Sequence, residues 1–219
     1  MTGRDDIPVL VLHGLGMNRI FMAGFTQYLR KQGHKASSIS YPSRHKSFAQ
    51  IVEDHVVPAI EALDAPKVDF VGHSMGGLLV RLYAHKHGNG KIGRGVMAGT
   101  PNHGSQVADF VKNWTAFRSF CGDVGQTLGT GPEDIHADLP DKVDFECGVI
   151  AGENKYLHFP TSYIAGIPVP NDGIVSVEST KINGMTDHTV VIADHSQMVW
   201  SPTVWKLAAQ FLAKGKFED

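Results

Sequence analysis

Residues 67–76 read Lys67-Val68-Asp69-Phe70-Val71-Gly72-His73-Ser74-Met75-Gly76. The stretch to His73 is short and apolar and reads as a buried strand; Met75 to His87 reads as a helix. Between them Gly72 to Gly76 spells G-x-S-x-G, a string that chance supplies roughly 0.15 times in a chain of this length. A serine placed between strand and helix in this way lies on a turn so sharp that its backbone is strained. Side chains two positions before or after it would strike the neighbouring elements, which explains glycine at Gly72 and Gly76. The turn lifts the hydroxyl above the sheet. The free N–H groups of the following helix face whatever negative charge develops there.

Outward from this turn, strand and helix patterns alternate. Pro8 to His13 is a continuous apolar run suited to a strand covered on both faces. Asn18 to Gln32 predicts a helix with Ile20, Phe21, Phe25, Tyr28 and Leu29 on one face and Gly33 as its stop. Lys35 to Tyr41 predicts a strand ended by Pro42. Ser47 caps a helix reaching Leu63, which Pro58 is expected to kink. Further strands are expected at Ile92 to Gly99, Glu146 to Ala151 and Thr189 to Ala193. Residues 105–121 predict an amphipathic helix carrying Val107, Phe110, Val111, Trp114 and Phe117, and Pro202 to Leu212 a closing one. This alternation implies an α/β fold: about six mostly parallel strands with helices on both faces. Functional groups then belong in loops at the carboxyl ends of the strands.

Composition narrows the function classes. The chain has 219 residues, 42% hydrophobic and 19% charged, which excludes a disordered chain. We expect one domain spanning 1–219, with cap-like insertions at about 105–145 and 153–171. No apolar run reaches the ~18–20 residues of a membrane-spanning helix. Twenty basic and 22 acidic residues leave a net charge near −2 and no strong basic patch, so nucleic acid is not an expected partner. The start of the chain does not read as a secretory signal; the expectation is a cytoplasmic protein or the trimmed form of an exported one. Cys121 and Cys147 are too few for a disulfide-stapled mini-fold or a four-cysteine zinc site, and two buried thiols are expected rather than a disulfide. No H-E-x-x-H spacing occurs, so no metal site and no cofactor are expected.

The elbow around Ser74 resembles that of the α/β-hydrolase fold, in its lipase and esterase branch. His13-Gly14-Leu15-Gly16 is similar to that branch's oxyanion motif, and Gly99-Thr100-Pro101-Asn102-His103-Gly104-Ser105 to its G-T-P-x-x-G-S run. Tyr41-Pro42-Ser43-Arg44 and Val143-Asp144-Phe145-Glu146 resemble segments of small bacterial members, so the likeness covers residues 8–212. The resemblance implies an oxyanion hole made by the Leu15 and Met75 amides, and a chain order of nucleophile, acid, base. Of the histidines after Ser74, His85 and His87 lie at the far end of the helix, and His136 and His158 fall in the insertions. His103, near the expected site mouth, reads as structural or solvated. His188 precedes the last strand at the wrong edge of the sheet. His195 follows that strand at the edge where Ser74 stands, and is the expected base.

The acid is expected at Asp172. Its surroundings, Pro170-Asn171-Asp172-Gly173-Ile174-Val175, are similar to the N-D-G-x-V segment that carries the lipase aspartate. Gly173 permits the sharp turn that faces the carboxylate inward. Asp141, Asp144, Asp187 and Asp194 are the rivals. The larger calcium-binding lipases carry an aspartate two positions after the histidine; here that position is Gln197, so no structural calcium is expected. Gly122 to Asp141 reads as an irregular loop, while the helix before it is either a lid or an ordinary sheet-covering helix. Phe159, Tyr163 and Ile164 are expected to border an apolar acyl pocket.

These readings converge on a serine ester hydrolase, expected to be monomeric, acting on a small-molecule or lipid ester through an acyl-enzyme. A phospholipase, thioesterase or acyltransferase on the same residues, or a binding module without catalysis, are the alternatives.

Overall fold

The computed structural model describes residues 6–154 and 165–218, the side chains at 116, 117, 120 and 123 apart. Six strands form one sheet: β1 (Pro8–Leu12), β2 (Lys35–Ser38), β3 (Val68–His73), β4 (Ile92–Ala98), β5 (Glu146–Glu153) and β6 (Asp187–Ile192). The order is β2-β1-β3-β4-β5-β6 and every pairing is parallel. The chain moves outward from β1 to β2, then returns to the other side of β1 for β3. The crevice at the carboxyl ends of β1 and β3 is therefore the point where the winding reverses, where open α/β sheets place their ligand sites.

Period-two alternation explains the two layers. In β1, Leu10 and Leu12 face one core, while Val9 and Val11 face the other. The first core is covered by α2 (Phe48–Ile51), α3 (Val57–Ala62) and α4 (Met75–His87), the second by α1 (Ala23–Lys31) and α8 (Pro202–Lys214). The central strands are buried along their length, so at roughly 1.5–3 kcal/mol for each large apolar side chain this double burial is the main force holding the sheet. α8 stops at Gly215, which takes the left-handed conformation at φ 76°.

Several elements differ from the sequence reading. The expected helix from Asn18 begins only at Ala23, because the Asn18 side chain accepts the Ile20 N–H and residues 18–23 close into turns. Ile20 and Phe21 are consequently 75% and 39% exposed instead of facing the core. β2 ends at Ser38, and Tyr41 leaves the strand to stack on His13 with ring centroids 3.8 Å apart. Ser47 does cap its helix, in a reciprocal box with Gln50. The chain reaches Pro58 through a π-helical turn, Val52–Val56, which takes up the disruption the proline introduces.

The helix expected over 105–121 is two: α5 (Gln106–Val111) and α6 (Thr115–Gly125), the second interrupted at Gly122 with φ 63°. Trp114, between them, is exposed rather than packed. Residues 126–141 run as turns. β6 starts at Asp187, so Asp187 and His188 lie inside the strand, at its amino end, rather than before it. A short helix α7 (Val177–Thr180) and a 3-10 turn at Gln197–Trp200 follow Asp172 and His195. Cys121 and Cys147 are both buried and free. His158, Phe159, Tyr163 and Ile164 lie outside the described residues. No helix among the described residues is long and apolar enough to cross a membrane.

Candidate active site

Ser74 joins β3 to α4 with φ 53° and ψ −121°. Asp64 is the other described residue besides glycines at positive φ. Such a backbone costs on the order of 1–3 kcal/mol and persists only where its surroundings impose it. Here the Ser74 N–H donates to Ala98 O at 2.9 Å, and the Thr100 hydroxyl donates to Ser74 O at 3.1 Å. The turn is also too tight for side chains on its flanks: a Cβ on Gly72 would lie 2.5 Å from Gly77 N.

Two residues from the other end of the chain complete a relay. His195, just beyond β6, has Nε2 2.9 Å from Ser74 Oγ and Nδ1 2.7 Å from Asp172 Oδ2. A carboxylate only accepts, so Nδ1 carries the proton and Nε2 is left to accept from the hydroxyl. Asp172 is held from its other oxygen: Oδ1 accepts the N–H groups of Ile174 at 3.0 Å and Val175 at 2.7 Å. Gly173, at φ 94°, makes that turn possible. The His195 N–H donates to Asp172 O at 3.0 Å, so backbone and side chain of the pair are joined independently. The carboxylate is wholly buried and the imidazole largely so. Asp194, beside His195, turns away and accepts from Asn154.

The loop after β1 faces this relay. His13 Nδ1–H donates to Gly14 O at 2.8 Å, and its Nε2 accepts the Tyr41 N–H at 3.3 Å. The Tyr41 hydroxyl donates to His13 O, and the Gly16 N–H to Ser43 Oγ at 3.0 Å, with Gly16 at φ 72°. The backbone amides of Leu15 and Met75 donate to no acceptor among the described residues, which leaves two N–H groups beside the serine. Gly14 permits this approach: a Cβ there would lie 3.0 Å from His73 Nδ1 and 3.3 Å from Ser74 Cβ. Burial pushes the His13 pKa down to about 4 and that of His73 to about 3, so both rings are neutral at pH 7.

The relay opens into a cavity of about 220 Å³, whose walls include Leu15, Met17, Val107, Ala108, Leu128 and Ile174 beside Ser74 and His195. α5 thus borders the cavity through Val107 and Ala108. His103 lies outside it, half exposed and 3.8 Å from Asp141. A larger hollow of about 620 Å³, between the start of α2, the end of α4 and residues 124–138, contains none of these groups. Among the described residues, no cluster of three or more histidine, cysteine or acidic side chains is placed to hold a metal ion.

Sequence reasoning did not derive the supports: Thr100 holding the elbow, Ser43 holding the Gly16 turn, and Gly99 beneath Asp172 and His195. A Cβ on Gly99 would meet His195 Nδ1 at 3.3 Å and Asp172 Oδ2 at 3.4 Å. The glycine-rich segment at 99–105 was the available signal, but a close approach between segments is not written locally.

Residues 7–122 match the family model for the alpha/beta hydrolase fold, and the chain belongs to that family. No curated protein matches it in sequence. Among solved structures, the mature form of the Bacillus licheniformis lipase BlEst2 is 21% identical, with a TM-score of 0.77 over 97% of this chain and 94% of that one. The Legionella pneumophila phospholipase PlaB is 18% identical, with a TM-score of 0.64 over 80% of this chain and 45% of that one. Aspergillus fumigatus lipase B is 14% identical, with a TM-score of 0.60 over 97% and 54%. At these identities the likeness is one of fold.

Proposed function

We propose that the chain is a single-domain serine carboxylic ester hydrolase, with Ser74 as nucleophile, His195 as base and Asp172 as its orienting acid. The observation that carries this reading is the continuous hydrogen-bonded path from Asp172 Oδ2 through His195 to Ser74 Oγ, at 2.7 and 2.9 Å, opening into an apolar cavity. A serine hydroxyl is a weak nucleophile until a base takes its proton, and an imidazole held by a buried carboxylate is such a base. Ser74 Oγ attacks the ester carbonyl as His195 Nε2 accepts its proton. The Leu15 and Met75 N–H groups stabilise the oxyanion. The tetrahedral intermediate collapses, His195 protonates the departing alcohol, and the acyl group stays on Ser74. Water, deprotonated by His195, then attacks the acyl carbon and releases the acid.

The size and apolar walls of the cavity favour a short or medium acyl group. A phospholipase, thioesterase or acyltransferase would share the acyl-enzyme, and the likeness to a phospholipase keeps that reading in view. Product analysis with ester, phospholipid, thioester and alcohol-acceptor substrates separates them. The deciding experiment is Ser74→Ala assayed on a p-nitrophenyl ester series. Turnover is expected to fall by several orders of magnitude, leaving a residue of roughly 10³–10⁴-fold over water from binding and the oxyanion site. Activity retained in that variant would refute the assignment.

A further inference from the structure

We propose that His73 is a positioning residue for the reaction read above: its Nε2–H holds the main-chain carbonyl of His195 and so ties the base to the nucleophile's own turn. The inference rests on the serine hydrolase reading of this site.

His73 precedes Ser74 in the chain and is buried to 1% exposure at the end of β3. Its Nε2 lies 2.9 Å from His195 O, and the two rings are 5.1 Å apart. A carbonyl only accepts, so Nε2 carries the proton. Nδ1 is then an unprotonated acceptor, buried and with no hydrogen-bond partner among the described residues. Phenylalanine or leucine would fill such a site without leaving an unpaired nitrogen. A polar ring is retained where half of its polarity is unsatisfied, and the half that is satisfied points at His195.

The bond completes a bracket. His195 is held at its N–H by Asp172 O, at its ring Nδ1 by Asp172 Oδ2, and at its C=O by His73. The first two contacts tie the base to its acid, and neither relates it to Ser74. Among the described residues, the His73 bond alone links the main chain of the base loop to the elbow before any proton moves. The ring must also stay uncharged to do this without opposing the imidazolium formed on His195. Burial pushes its pKa down, the neighbouring His195 and His13 rings push the same way, and together they outweigh the bond to the His195 carbonyl and the Asp172 charge to hold it at about 3.

The test compares His73→Gln, His73→Asn and His73→Leu. Glutamine places an N–H donor as many bonds from Cα as Nε2 is, whereas asparagine reaches only as far as Nδ1. Second-order rates of Ser74 labelling by a fluorophosphonate, kcat and KM are measured for each variant, with Ser74→Ala as blank. Labelling and kcat are expected to fall about 10- to 100-fold in the Leu and Asn variants, with KM within about twofold, and to recover in the Gln variant. Nitrogen-15 spectra of the wild type are expected to show His73 as the neutral Nε2–H tautomer from pH 5 to 8, a readout independent of activity.

Wild-type labelling rates in the Leu variant, or a Gln variant as impaired as Leu, overturn the positioning role alone. So does an Nδ1–H tautomer, or titration of His73 within that range. A wild-type protein that is not labelled at Ser74 overturns the serine hydrolase reading and the positioning role with it, and the spectra then report the bond by itself.

Discussion

A Cβ built on Gly76 would lie 2.5 Å from the carbonyl oxygen of Leu12, the last residue of β1. The first turn of α4 therefore packs directly onto the main chain that leads into the Leu15 loop. Ser74 follows β3 and Leu15 follows β1, and this contact sets the spacing between them. Gly76→Ala is expected to force backbone apart at a cost of about 1–3 kcal/mol. It should also separate Ser74 from Leu15. Urea unfolding measures the first effect and the rate of Ser74 labelling the second. A variant with unchanged stability and labelling would show that the helix can shift without consequence.

Asp172→Asn tests the acid more finely than alanine does. The Oδ1 position can still accept from Ile174 and Val175, so the turn is expected to hold. An amide NH₂ facing His195 Nδ1 would favour the wrong tautomer, and turnover should drop by about 10⁴ with little change in the unfolding midpoint. A drop below tenfold would reassign the acid.

Ile174 offers a separation of binding from chemistry. Its main-chain N–H bonds Asp172 and its main-chain O accepts from Ser105, while its side chain lines the cavity and is partly exposed. Ile174→Ala leaves the main-chain bonds in place. KM for apolar esters is expected to rise about 3- to 10-fold with kcat within about twofold, as removal of one uniform contact predicts. An effect confined to kcat would place the side chain in the chemical step instead.

Acid should weaken the fold before it titrates the carboxylates. His13 and His73 are neutral in the folded protein, with pKa values pushed down to about 4 and about 3 by burial; both rise to about 6.5 on unfolding. As pH falls through 6.5 the unfolded chain takes up protons that the folded one refuses, so stability declines from there toward 4. The loss is about 1 kcal/mol for each histidine by pH 5.5. His136 and His188, also shifted down by burial, add in the same direction. Urea midpoints at pH 7.5 and 5.5 measure the decline, and His73→Gln should make it shallower. A flat profile in the wild type would mean that these rings are protonated in the folded state.

The alternation of β1, β3 and β4 with their helices was readable because it is a local property. Strands covered on both faces are continuously apolar, and Gly72 and Gly76 mark the elbow between them. The same periodicity misread Asn18–Met22, where Ile20 and Phe21 fall at helical spacing yet are exposed, because the Asn18 side chain competes for the backbone N–H groups. It also merged α5 with α6, since spacing alone does not reveal a left-handed residue at Gly122.

The positions of Ser74, Asp172 and His195 could be nominated from the sequence because the resemblance to lipases supplies their chain order and the segment around Asp172, while strand polarity and local turn chemistry restrict where such groups can stand. Their distances could not, because a relay of 2.7 and 2.9 Å depends on the parallel register of β3 to β6. The bond from His73 to His195 joins residues 122 positions apart. No local pattern encodes it; it exists because the sheet brings the carboxyl ends of β3 and β6 to the same edge. The sequence by itself determined which groups have the right chemistry and which edge of the sheet they occupy. Only the folded chain decided which of them touch, since hydrogen bonds form over a few tenths of an ångström and that precision comes from packing.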